Sequence, residues 1–117
     1  MATIRELEDK MNQAILSGKA MEAFEELYAD DVTMQENGEP PRVGKAACRD
    51  YEYKFFEMLE AFHGATVDNV AVEGDVSYSE WTNDFTLKGL PRMKYTQVTQ
   101  RRWRDGKIIA ERFFYTR

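Results

Sequence analysis

Cysteine and histidine are nearly absent from this chain, each occurring once, as Cys48 and His63. A single thiol allows no disulfide framework and no thiolate metal cluster. Cys48 falls near an apolar helical stripe and reads as a small buried hydrophobe. His63 stands beside Gly64 with no second ligand at metal-binding spacing, so no metal is expected. No glycine-rich phosphate loop follows a strand, and no cofactor is expected. Uninterrupted apolar runs last only a few residues, too short to span a bilayer. Met1-Ala2-Thr3-Ile4-Arg5-Glu6 lacks the basic-then-apolar build of a signal peptide, which makes a cytoplasmic location the default expectation. Basic charge is short as well. The formal net charge is −5, which suits a phosphate backbone poorly and argues against a nucleic-acid partner. Arg101, Arg102, Arg104 and Lys107 gather around a turn and read as a solvated hairpin end.

What is present describes one globular domain, residues 1–117. The chain is long enough for one core and too short for two, and 43% of it is hydrophobic and 13% aromatic. Thr3 and Glu6 fit a capping box. Ile4, Leu7, Met11 and Ile15 then recur at helical spacing up to Gly18. A second helix is expected from about Ala20 to Ala29. Asp31 to Glu36 alternates with period two and reads as a strand, ended by Asn37-Gly38. Pro40-Pro41 keeps the next residues extended and out of any central ladder. A third helix is expected over roughly Ala46 to Phe62, with Ala47, Tyr51, Phe55, Leu59 and Phe62 as its stripe. Four strands follow, Val67 to Glu73, Val76 to Leu87, Met93 to Arg104 and Ile108 to Thr116. Turn compositions at Gly74-Asp75, Lys88-Gly89-Leu90-Pro91 and Asp105-Gly106 separate them. Helices first and strands after argue an α+β layer fold.

Glu36 is the residue most open to a chemical reading. A carboxylate at the end of a rigid strand, facing helices that bring mostly apolar side chains, has the makings of a general base in a hydrophobic pocket.

The stretch Tyr28-Ala29-Asp30-Asp31-Val32-Thr33, then Glu36, Pro40-Pro41 and Gly44, with Arg102-Trp103-Arg104-Asp105-Gly106-Lys107-Ile108 at the last hairpin, resembles the NTF2-like (SnoaL-like) superfamily. Within it the chain is similar to bacterial ketosteroid isomerases. The resemblance covers nearly the whole chain in element order; its local phrases specify the fold well and the reaction poorly. It implies a cone: a curved antiparallel sheet with three helices on its concave face. It implies a small hydrophobic molecule as partner, and the outward Val98, Gln100 and Arg102 with Glu80, Thr82 and Asp84 beside them make a mixed-charge face suited to a homodimer through the sheet. In the isomerases an aspartate at the end of the first strand shuttles a proton, and Glu36 falls at that position. Their oxyanion-holding tyrosine and aspartate are replaced here by Met11 and Thr99. A thioether donates no hydrogen bond and a hydroxyl is a weak acid, and each lost oxyanion donor costs about 2.7–4 kcal/mol of barrier. Steroid isomerisation of the usual kind is not expected.

Carrying over the family's inward parity places Tyr95, Gln97, Thr99, Arg101 and Trp103 toward the helices, with Trp81, Asn83 and Phe85 beside them. On the last strand the same parity selects Ile109, Glu111, Phe113 and Tyr115. That register turns on the Asp105-Gly106 loop, since a slip of one residue reverses every side chain. Glu36 and Arg101 are then the expected catalytic pair, and Met11, Tyr51, Phe55, Trp81, Asn83, Phe85, Tyr95, Gln97, Thr99, Trp103, Glu111 and Tyr115 the expected ligand-binding wall. Arg101 and Glu111 read equally as a buried ion pair. The sequence supports a cofactor-independent isomerase- or lyase-type enzyme with Glu36 as base. It also supports a non-catalytic ligand-binding or dimerisation module. A third reading is an epoxide-hydrolase-like enzyme, with Arg101 and Glu111 standing nearest to that family's Asp–Arg–Asp arrangement.

Overall fold

The computed structural model describes residues 2–116. Helix α1 (Ile4–Leu16) starts on Thr3, whose hydroxyl accepts from the Glu6 amide while the Glu6 carboxylate accepts from the Thr3 amide. This is the expected capping box. Gly18, at φ +79°, turns the chain into α2 (Ala20–Leu27). Strand β1 runs Tyr28–Glu36, starting earlier than the alternation suggests. A two-residue strand β2 (Arg42–Val43) then pairs antiparallel with it. The prolines before β2 leave it short and at the sheet edge, as a residue type without an amide donor requires. Helix α3 is Lys45–Met58.

Strand β3 spans Leu59–Glu73, so Leu59 and Phe62 belong to the sheet and not to the third helix as their spacing suggests. Leu59 pairs with Leu87 and Phe62 with Phe85. A long antiparallel ladder overrides a helical pattern that only the local sequence supports. Strands β4 (Val76–Leu87), β5 (Met93–Arg104) and β6 (Lys107–Tyr115) follow. The sheet order is β2-β1-β6-β5-β4-β3. It is mixed, since β1 lies parallel to β6 while the other pairs are antiparallel. Register shifts in β3 and in the β5–β6 pair supply the bends that let such a sheet curl.

The last hairpin resolves the question of parity. A two-residue Asp105-Gly106 turn pairs Arg104 with Lys107 and Trp103 with Ile108, and a bulge next to that pair sets Arg102 opposite Ala110. Ile108, fully buried, is therefore the inward residue in place of the expected Ile109. The bulge restores the expected parity beyond it: Arg101 faces Glu111, Thr99 faces Phe113 and Gln97 faces Tyr115.

An apolar core forms where Met11, Phe24, Leu27, Tyr28, Val32, Met34, Cys48, Trp103 and Ile108 pack together. Against it lies a buried polar network. Arg101 donates through Nε to Glu111 Oε2 at 2.7 Å and through Nη1 to Asn12 Oδ1 at 2.8 Å, with Glu8 Oε1 at 3.1 Å. Ser77 and Ser79 donate to the two Glu8 oxygens. Asn12 donates to Ser79 at 2.7 Å, Trp103 Nε1 to Ser77 at 2.8 Å and Tyr28 to Glu111 Oε1 at 2.6 Å. No buried polar atom of this network lacks a partner. Burial alone lowers the Arg101 pKa, but Glu8 and Glu111 outweigh it and the guanidinium stays charged. Removing one member of such a network strands the others in low dielectric, at about 3–5 kcal/mol. Arg101→Met is therefore expected to lower unfolding free energy by about 3–5 kcal/mol in urea titration; a loss below about 1 kcal/mol would contradict this account of the core.

Candidate functional site

The site is assembled where β1 and β6 end under α3. Glu36 is the last residue of β1 and pairs with Phe113. Asn37 (φ +47°) turns the chain there, and its amide donates to the Phe113 carbonyl at 2.8 Å. The Asn37 side-chain oxygen accepts from the Tyr115 amide at 2.9 Å. One turn residue thus fixes both the carboxylate and the tyrosine beside it. Glu36 Oε1 accepts from the Tyr51 hydroxyl at 3.0 Å and lies 3.4 Å from the Tyr115 hydroxyl. Glu36 Oε2 is buried with no hydrogen-bond partner, and so are Arg42 Nε and Nη2. Arg42 Nη2 stands 3.6 Å from Glu36 Oε2, an ion pair too long for a hydrogen bond. The Arg42 guanidinium lies 3.4 Å from the Tyr51 ring centroid. A buried polar atom left unpaired costs about 1–3 kcal/mol, and three at one place mark a site that a further group would complete.

An aromatic ladder leads away from the carboxylate. Tyr115 contacts Tyr95, Tyr95 contacts Phe85 and Phe85 contacts Phe55, at centroid distances of 5.5, 5.8 and 5.4 Å. Burial raises the pKa of Tyr51 most, with the Glu36 charge adding to it, and burial raises that of Tyr95. Both hydroxyls therefore stay protonated and able to donate.

Of the expected site residues, Glu36, Tyr51 and Tyr115 meet, with Phe55, Phe85 and Tyr95 lined up beside them. Arg101 and Glu111 do not join Glu36. They lie one inward pair deeper on the sheet, locked in the core network. Met11 and Trp103 are core residues. Thr99 is buried and accepts from Gln97 Nε2 at 3.1 Å. Trp81 is buried opposite Gln97, and Asn83 pairs with Tyr95 across the β4–β5 ladder. Cys48 is buried and its thiol is pushed up to about 11, chiefly by burial, which leaves it protonated and inert. No cluster of metal-ligating side chains occurs among the described residues, and no helix among them is long and apolar enough to cross a membrane. Two surface depressions lie elsewhere, one lined by Tyr28, Asp31, Lys45 and Arg104 and one by Ala65, Thr82 and Lys94.

Sequence reasoning missed Arg42 and Glu52. Glu52 lies within the apolar side of α3, four residues after Cys48 and three before Phe55. A carboxylate in that stripe is the signal that could have found it. Part of its area reaches the surface, yet protein surrounds most of it. Burial, then the charges of Glu111 and Glu36, push its carboxyl up to about 7 against the opposing pull of Arg42 and Arg101. The fold therefore favours the protonated form. Stability from this group is full below the ordinary value of 4.5, falls as pH rises toward about 7, and is flat above that. That interval is worth roughly 3 kcal/mol at most, and partial exposure reduces it. Glu52→Gln should raise unfolding free energy by about 1–3 kcal/mol at a pH of about 8 and change little at about pH 4. An equal effect at both values, read by thermal melts, would remove Glu52 from this position.

The profile of the SnoaL-like domain matches residues 2–115. A candidate SnoaL-like polyketide cyclase from Mesorhizobium loti is 30% identical, covers 97% of this chain and 100% of its own, and superposes with a TM-score of 0.88. IdmH, a candidate polyketide cyclase from Streptomyces antibioticus, is 19% identical over 97% of this chain and 92% of its own, with a TM-score of 0.77. A protein with a ketosteroid isomerase-like fold from Catenulispora acidiphila, solved with trimethylamine, is 22% identical over 97% and 88%, with a TM-score of 0.79. The last two, at this identity, show the fold alone. Among curated proteins none matches. The sheet order, the three helices and the profile match across nearly the whole chain agree: this protein belongs to the SnoaL-like domain family, within the NTF2-like fold.

Proposed function

We propose that the protein is a cofactor-independent acid–base enzyme acting on a small hydrophobic carbonyl compound, with Glu36 as general base. The reaction class is proton transfer next to a carbonyl, or a cyclisation, dehydration or ring opening that begins with it. The observation that carries this reading is the buried Oε2 of Glu36, which accepts no hydrogen bond and has only the Arg42 charge near it at 3.6 Å. Tyr51 and Tyr115 occupy the other oxygen, which orients the carboxylate and leaves one oxygen to take a proton. The aromatic ladder offers an apolar bed for the rest of the molecule. Glu52, whose carboxyl is held protonated up to about pH 7, is a second group able to return a proton. Membership of a family whose Mesorhizobium relative is named for polyketide cyclisation adds support, since ring closure of that kind starts from a deprotonated carbon. Pairing of two copies through the convex face of the sheet belongs to the same proposal. That face carries Tyr78, Val98 and Phe114 among polar neighbours.

The epoxide-opening reading finds a carboxylate–arginine–carboxylate trio in Glu8, Arg101 and Glu111. Those groups are engaged with one another and with Asn12, Ser77, Ser79 and Tyr28, and no buried polar atom of the trio lacks a partner, which argues against its activating a water.

Solvent deuterium exchange into 2-tetralone, followed by NMR, tests the base. Wild type should catalyse exchange, and Glu36→Gln should lose about 10²–10⁴-fold of the rate while still binding the ketone. An undiminished rate in Glu36→Gln would remove this residue from the reaction.

A further inference from the structure

We propose that Arg42 holds the developing oxyanion in this site, and that the substrate it fits is a 1,3-dicarbonyl compound whose enolate presents two coplanar oxygens to its Nε–Nη2 edge. This rests on Glu36 as the base. This chain uses the same edge elsewhere. Arg49 grips Glu25 through Nε and Nη2 at 2.6 and 2.7 Å, and Arg92 grips Asp84 through the same pair at 2.9 and 2.7 Å. That edge is a two-pronged donor matched to a planar pair of oxygens. On Arg42 both prongs are buried and donate no hydrogen bond.

The Arg42 Cζ stands over the Tyr51 ring, 3.4 Å from its centroid, and the hydroxyl at the tip of that ring reaches Glu36. The stack therefore aims the edge toward the carboxylate without consuming a donor. The backbone is fixed as well, since Arg42 pairs with Met34 across the β1–β2 ladder and follows two prolines. Glu36 Oε2, at 3.6 Å from Nη2, is the other atom of the group without a hydrogen bond.

Charge and atoms balance in one step. The C–H bond between the two carbonyls breaks, its proton goes to Glu36 Oε2, and its electron pair spreads over the O–C–C–C–O unit. Glu36 becomes neutral as the substrate becomes anionic, so the net charge of the site is unchanged and Arg42 exchanges one carboxylate neighbour for the enolate. A monoketone enolate would fill one prong and leave the other buried and unpaired; a 1,3-dicarbonyl fills both. The arrangement thus differs from an oxyanion hole of tyrosine and protonated acid, whose positions here hold Met11 and Thr99.

Benzoylacetone is the probe, because its enolate and neutral forms have different ultraviolet spectra. Its ionisation is followed against pH free and bound to wild type, Arg42→Lys, Arg42→Gln and Glu36→Gln, with folding of each variant checked by circular dichroism. Bound to wild type, the diketone should ionise about tenfold more readily than in solution, or better. Arg42→Lys should keep part of this effect, since it retains charge without the fork, and Arg42→Gln should lose it. Glu36→Gln, which removes a like charge, should keep or strengthen it. Ionisation of the wild-type complex as in free solution, an unchanged effect in Arg42→Gln, or no binding of the diketone would overturn the proposal. If Arg42→Gln does not fold, the wild-type and Arg42→Lys results decide it. An enolate signature in a wild type that catalyses no deuterium exchange sinks the Glu36 reading and leaves Arg42 standing. Exchange without that signature does the reverse.

Discussion

Everything else in this fold is arranged around one arginine with no access to water. Arg101 comes from the middle of β5, and its guanidinium is held by Glu8 of α1 and Glu111 of β6 with Asn12 as a neutral partner. A charge in that position is tolerable only when every donor is met. Meeting them requires α1, β4, β5 and β6 to stand at one depth and one parity. Ser77 and Ser79 complete the carboxylate on the helix side, and Tyr28 completes the one on the strand side. The bulge after Ile108 serves the same end, because without it Glu111 would point to the convex face. In this way a buried ionic cluster sets the register of the sheet.

The cluster also divides the interior. One part is apolar, the next is a polar network with its partners met, and beyond it Glu36 and Arg42 carry three buried polar atoms without a hydrogen bond. Glu36 is one inward pair along from Glu111, close enough that both charges act on Glu52. The negative charge of the network is thus part of what keeps a carboxyl protonated near neutrality.

Much of this was legible in the sequence, for physical reasons. Period-two alternation placed β4 and β5 to the residue, because an antiparallel strand with one buried face leaves a clear mark. Glu36 and Tyr115 were readable as neighbours once the parity of β6 was known. The end of α3 was not readable: Leu59 and Phe62 continue a helical stripe, and only pairing with Leu87 and Phe85 shows them to be strand. The role of Arg101 was half legible. Its pairing with Glu111 follows from the hairpin, but Glu8 lies far away in sequence and its inward position depends on how α1 docks. Arg42 was hidden by the prolines before it, which mark an edge and say nothing of where a side chain points. Glu52 was passed over beside the more conspicuous Tyr51.

A crystal structure with 2-naphthol, an enol-shaped mimic, separates the sealed ionic core from the proposed acid–base wall at Glu36. The phenol oxygen is expected at the Arg42 edge beside Glu36, the rings against Tyr95 and Tyr115, and Arg101 still bonded to Glu8, Asn12 and Glu111. A naphthol that displaces one of those Arg101 partners, or an interior that stays filled by protein side chains with the ligand on the outer surface, would contradict this expectation.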